Sequence, residues 1–149
     1  MLDRADACGA DQTTPAGVLP AIEQLRDRPV YLDLEANLPS AITAQWYWWP
    51  DADSIAVRRG LPTRDRAVAH ELGHMMLGHE GVAVPLNRWT PNADTSAFAW
   101  TMRRRRSRVE WDHIEWEAER FAALLCYELR RRAGYRRATR PGVLADAFG

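Results

Sequence analysis

The sequence predicts an α+β domain with a small, mainly antiparallel three-stranded sheet packed on helices. Three observations predict it. Short segments of strand period lie between residues 30 and 58, and two longer segments of helical period follow, from Thr63 to His79 and from Asp112 to Arg132. The chain has 149 residues, 46% of them hydrophobic, which suits one domain with one core.

Residues 1–15 are small, polar and acidic and end at Pro15, which reads as a flexible N-terminal tail. The domain proper is then 16–134, with 135–149 a C-terminal tail of no evident role. Val18, Leu19, Ile22 and Leu25 suit a short amphipathic helix over Val18–Arg28, stopped by Pro29. Val30-Tyr31-Leu32-Asp33-Leu34 alternates as a strand does. Asn37-Leu38-Pro39-Ser40 turns. Ile42–Trp49 reads as a second strand, and Pro50-Asp51-Ala52-Asp53 turns into a third, Ser54–Arg58, close enough for a hairpin. In the second strand Trp46 and Trp48 share one face, Tyr47 and Trp49 the other. Packing of both faces by helices or loops is the preferred reading over a dedicated aromatic binding site. After Gly81 the chain reads irregularly through Pro85, Pro91 and Asn92, and no motif stands out in 81–110, although Ala97–Arg108 suits a further helix. Asp112–Arg132 has Ala118, Phe121, Ala122, Leu125, Cys126 and Leu129 on one stripe and is expected to stop at Gly134.

Composition excludes more than it assigns. The formal net charge is zero, so no global field argues for nucleic acid. Residues 100–140 carry 12 Arg against 6 acids, concentrated at 103–108 and 130–137. No DNA-binding motif accompanies these runs, so they read as solvated faces, and no direct nucleic-acid contact is expected. Cys8 and Cys126 form no disulfide framework and are expected to be reduced thiols. The N-terminus lacks a secretory signal, and no apolar run is long enough for a membrane span. A cytoplasmic location is the expectation.

The stretch that carries chemistry is His70-Glu71-Leu72-Gly73-His74, an H-E-x-x-H pattern. On a helix, positions four apart share a face, so His70 and His74 aim two imidazoles at one point. Thr63 is a good N-cap, Asp65 falls in the first turn, and Gly81 follows the end. Val68, Leu72, Met75 and Met76 form the apolar stripe; His70, Glu71 and His74, with Ala67 and Gly78, form the opposing side. The chemistry expected of this pattern is one zinc ion, with Glu71 as general base for a water that attacks a peptide carbonyl.

Two histidines are one ligand short of a catalytic zinc site. His79, Glu80, His113, Glu115, Glu117 and Glu119 are the candidates. His79 sits about 140° around the helix from His74 if the helix continues, so it reads as a helix-end residue. Glu115 precedes Ala118 and Ala122 on the buried stripe, where a bare carboxylate is costly unless paired or metal-bound. Glu119 lies one turn later and can accept a hydrogen bond from the second nitrogen of a ligating histidine. Glu117 points about 200° away from Glu115 and reads as solvated. A structural alternative for Glu115 is a capping box with Asp112.

These pieces together resemble the ImmA/IrrE family of zinc metallopeptidases. The resemblance rests on Val30–Leu34, on Arg66–His74 with Leu77-Gly78-His79, and on Glu115-Trp116-Glu117-Ala118-Glu119-Arg120-Phe121-Ala122-Ala123-Leu124-Leu125. It implies a minimal zincin-like, gluzincin-type domain with His70, His74 and Glu115 as metal ligands and Glu71 as base. It implies a stand-alone zinc endopeptidase, of phage or mobile-element type, that cleaves a helix-turn-helix repressor or regulator. Glu119 stands where the family often has Asn or Asp, one methylene shorter. The family's helix-ending Pro is missing after Leu124-Leu125, so the helix is expected to run on. The alternative from another class is a zinc-stabilised module that sequesters a regulator without cutting it. The intact Glu71 argues against it, since a structural site needs no general base.

Overall fold

The computed structural model describes residues 2, 13–85, 98–101 and 108–138. Three helices and five strands are defined among them: α1 Leu19–Arg26, β1 Val30–Ala36, β2 Ala44–Trp48, β3 Asp53–Arg58, α2 Arg64–Met76, β4 Val82–Pro85, β5 Phe98–Thr101 and α3 Arg108–Ala138. The class is α+β, as expected. The sheet is larger than expected, with strand order β1-β3-β2-β5-β4. The three anticipated strands form one side of it. β1 pairs with β3 in parallel, Leu32 opposite Ile55, while β3–β2, β2–β5 and β5–β4 are antiparallel.

Sequence explains the element ends. A 3-10 turn at Ala16–Val18 leads into α1, which carries Pro in its first turn. α1 stops at Asp27, which takes the left-handed conformation (φ 53), so the helix is shorter than Val18–Arg28. β2 and β3 form the expected hairpin, closed where the Trp49 N–H donates to the Ala52 carbonyl at 2.9 Å. Along β3, Asp53, Ile55 and Val57 are buried in strict alternation.

α2 starts after Thr63, as expected, but the Thr63 side chain makes no capping bond. It ends at Met76, five residues before Gly81. The stop is Gly78, whose φ of +69° suits glycine and few other residues. The His79 N–H then donates to the His74 carbonyl at 3.0 Å, a Schellman closure that reverses the chain. Phe98–Thr101 is strand, where a helix over Ala97–Arg108 was expected. α3 begins at Arg108, so Asp112 lies inside it and the capping-box role for Glu115 is excluded. α3 also runs through Gly134 to Ala138.

α2 packs against β2 and β3 and also against α3. Val18, Ile22, Ile55, Val57, Val68, Leu72, Met75, Ala122, Leu125 and Leu129 make the core between these elements. Each buried Leu, Val or Met of α2 contributes about 1.5–3 kcal/mol, which offsets the roughly 1 kcal/mol cost of Gly73 within the helix. Cys126 is a free thiol and half-buried. Cys8, the arginines at 103–106 and the tails 3–12 and 139–149 lie outside the described residues. Among the described residues no helix is long and apolar enough to cross a membrane.

Candidate metal centre

The helical spacing of α2 sets two histidines together. His70 and His74 present their Nε2 atoms 3.0 Å apart, with ring centroids 4.7 Å apart at a steep angle. The third group comes from α3, and Gly73 lets α3 approach. A Cβ at Gly73 would stand 2.9 Å from the Ala118 carbonyl oxygen and 3.0 Å from its Cα. Glu115 lies one turn before Ala118 on α3. Its carboxylate oxygens sit 3.4 Å from His70 Nε2 and 3.5 Å from His74 Nε2.

Those distances are long for hydrogen bonds between charged partners. They match another arrangement. Zinc bonds of about 2.0–2.1 Å in a tetrahedron place donor atoms roughly 3.3 Å apart. The two Nε2 atoms are 3.0 Å apart, Glu115 Oε2 reaches His70 at 3.4 Å and its Oε1 reaches His74 at 3.5 Å, all near that value, and one donor atom from each residue falls within 4.8 Å of the others. Two imidazoles and a carboxylate with a fourth direction open is the donor set of a catalytic zinc site. The residues present therefore fit a metal ion. Electrostatics agree. Burial, then the neighbouring His70, depress His74 to about 4, which leaves it neutral with a lone pair available. Burial pulls His70 down, but its bond to Glu115 and the charges of Glu71 and Glu115 outweigh that, so His70 is raised. Burial raises Glu115, yet the bond to His70 and the charges of His74, His70 and His79 hold it below the usual carboxylate range.

Glu71 is placed separately from this triangle. It is 7% exposed, and its Oε2 accepts from the Trp46 N–H on β2 at 2.8 Å. Burial pushes its pKa up to about 7, against the pull of His70 and the Trp46 N–H. A carboxyl poised there both accepts and returns a proton near neutrality.

The outer groups part from expectation in two places. Glu119 Oε2 lies 3.4 Å from His70 Nδ1, and its other oxygen pairs with Arg66. His79 is not a bystander at the helix end. The Gly78 reversal folds it back so that its Nδ1 meets His74 Nδ1 at 2.8 Å. Glu117 is not simply solvated. It bridges His79 Nε2 at 3.3 Å and His113 Nδ1 at 3.2 Å, and is 37% exposed.

A cleft of about 380 Å³ opens over the triangle, lined by Ala41, Ile42 and Thr43 ahead of β2, by Ala44 and Gln45 at its start, by His70, Glu71, His74 and Glu115, and by Trp111. A second hollow of about 310 Å³ shares Thr43, His70, Glu71 and Glu115 and extends past Thr63, Ala67 and Arg66. Among the described residues, β5 pairs with β2 at Tyr47 and Trp48. Trp46 and Tyr47 are buried and Trp48 is 40% exposed, so the aromatic run is mostly packing. Tyr31, on the edge strand β1 and separated from β2 by β3, is 65% exposed. The Tyr47 hydroxyl donates to Gln45 at 3.1 Å; burial and Glu71 raise its pKa to about 12. Gln45 and Trp111 are cleft residues that sequence reasoning missed; neither belongs to a motif, and only the folded chain brings them to the donors. No family model, curated protein or solved structure matches the chain.

Proposed function

We propose that this chain is a zinc-dependent endopeptidase with a zincin-like centre, acting on a regulatory protein such as a helix-turn-helix repressor. One observation carries the reading: His70, His74 and Glu115 stand at the spacing of a tetrahedral site with the buried Glu71 beside them. A zinc ion held by those three side chains supplies Lewis acidity to a water and to the scissile carbonyl. The chain's own residues do the rest. The Glu71 carboxylate takes a proton as the water oxygen bonds to the carbonyl carbon. The same carboxyl gives that proton to the amine as the C–N bond breaks. The neutral His74 keeps its lone pair for the metal. The segment Ala41–Gln45 lines the cleft and leads into β2, and in this reading an extended peptide lies along its backbone. The repressor class of substrate rests on the resemblance to the ImmA/IrrE family.

The test uses protein purified without a histidine tag, loaded with zinc and dialysed. About one zinc per chain is expected by elemental analysis. Incubation with candidate helix-turn-helix repressors, read by intact mass, is expected to yield two new fragments. Glu71→Gln is expected to keep the metal and lose roughly a thousandfold in cleavage rate. Normal turnover by Glu71→Gln sinks the mechanism. A zinc-loaded chain that holds its repressor uncut supports the sequestering module instead.

A further inference from the structure

We infer that His79 is a positioning residue, one that holds His74 in the tautomer able to bind a metal through an imidazole–imidazole–carboxylate chain. The inference rests on the zinc reading above and concerns a residue that reading does not use.

Hydrogen-bond logic fixes the protons. His74 faces His70 and Glu115 with Nε2, so a metal there needs Nε2 bare and the proton on Nδ1. That Nδ1 meets His79 Nδ1 at 2.8 Å, so His79 Nδ1 accepts and its own proton sits on Nε2. His79 Nε2 then needs an acceptor, and Glu117 Oε2 stands 3.3 Å away. Each link allows one arrangement. The side chains of His74 and His79 are 2% and 8% exposed, so water does not readily replace either partner. The two ligating histidines are therefore held differently. His70 faces the Glu119 carboxylate directly, at 3.4 Å, while His74 reaches its carboxylate through a second imidazole. The device is local in sequence: the left-handed Gly78 and the His79 N–H bond to the His74 carbonyl bring ring 79 back over ring 74.

The test measures zinc dissociation constants by competition with a chromogenic chelator at fixed pH, for wild type, His79→Phe, Glu117→Leu and Glu117→Gln. His79→Phe keeps an aromatic ring and removes the acceptor; about 10- to 100-fold weaker zinc binding is expected. Glu117→Leu is expected to weaken binding several-fold. Glu117→Gln is expected to stay near wild type, because its amide oxygen still accepts from His79 Nε2. In nitrogen-15 spectra of the zinc-loaded wild type, His74 is expected to be protonated on Nδ1 and His79 on Nε2. A His79 protonated on Nδ1 overturns the inference, and this readout stands even if His79→Phe does not fold. Zinc affinity of folded His79→Phe within twofold of wild type overturns it as well, while leaving the peptidase reading intact. A wild type that binds no zinc overturns both.

Discussion

Glu71 owes its character to burial and one backbone donor. Its pKa rises from 4.5 to about 7 because water is excluded, and the Trp46 N–H only partly compensates. A shift of that size corresponds to ~3 kcal/mol of linkage with folding. The folded pKa lies above the unfolded one. The stabilising contribution is therefore complete below about 4.5 and is lost as pH rises through about 7. Glu71→Gln has no charge to bury and keeps an oxygen for the Trp46 N–H. In EDTA, chemical unfolding is expected to show the variant more stable than wild type at pH 8, by up to ~3 kcal/mol, and equal to it at pH 4. An advantage that is the same at both pH values contradicts the burial argument. The His74 shift acts in both proteins and cancels in the difference. His70, Glu71 and His74 were legible because covalent spacing on a helix fixes which side chains share a face. The depth of Glu71 was not, since it depends on Trp46, 25 residues away on a strand.

At the scale of elements, the donor triangle depends on how closely α3 lies against α2, and Gly73 sets that separation. A methyl there meets backbone atoms of Ala118 at 2.9 and 3.0 Å, and backbone does not yield as a flexible side chain does. Gly73→Ala gains about 1 kcal/mol of helix propensity and loses about 1–3 kcal/mol to overpacking. Because Glu115 rides on α3, zinc affinity is expected to fall at least tenfold. Gly134→Ala is the control: it sits in α3 with nothing within 4 Å of an added Cβ. It is expected to raise stability by up to about 1 kcal/mol and leave zinc affinity unchanged. Equal zinc affinity in both variants refutes the close-approach account. Elements with strong period were legible: α1, the β2–β3 hairpin, α2, and the stripe of α3. β4 and β5 were not, being four residues each, one ending in Pro85, too short for alternation to register. The placement of His79 escaped for a related reason. It turns on one left-handed residue, and Gly78 was available as the signal where Gly81 was read as the stop.

For the whole molecule, two of the polar cross-links between elements distant in sequence bear on stability. One is the donor triangle between α2 and α3. The other centres on Asp53, fully buried at the start of β3. Its carboxylate accepts from Arg26 Nε at 2.9 Å and from the Trp46 indole at 2.9 Å, with Arg28 Nε 3.3 Å away but not aligned to donate. Arg26 also donates to the Met75 carbonyl at 2.9 Å, so the same hub holds the last turn of α2. Asp53→Ala takes the carboxylate acceptor from the Arg26 Nε–H and the Trp46 indole N–H and the counter-charge from both guanidinium groups. The arginine side chains keep 22% and 18% exposure, which places the cost at the low end for a broken buried pair, about 3 kcal/mol. Zinc acts at the other cross-link by mass action. It binds the folded triangle and contributes ~4 kcal/mol at a free concentration a thousand times its dissociation constant. The Asp53 hub shares no donor atom with the triangle, so the two effects are expected to add within ~0.5 kcal/mol. In urea, Asp53→Ala with saturating zinc should therefore unfold near or slightly above the midpoint of metal-free wild type, with unchanged slope. A zinc-induced shift in Asp53→Ala less than half that of wild type shows instead that the hub, through Trp46 or Met75, sets the geometry of the metal donors themselves.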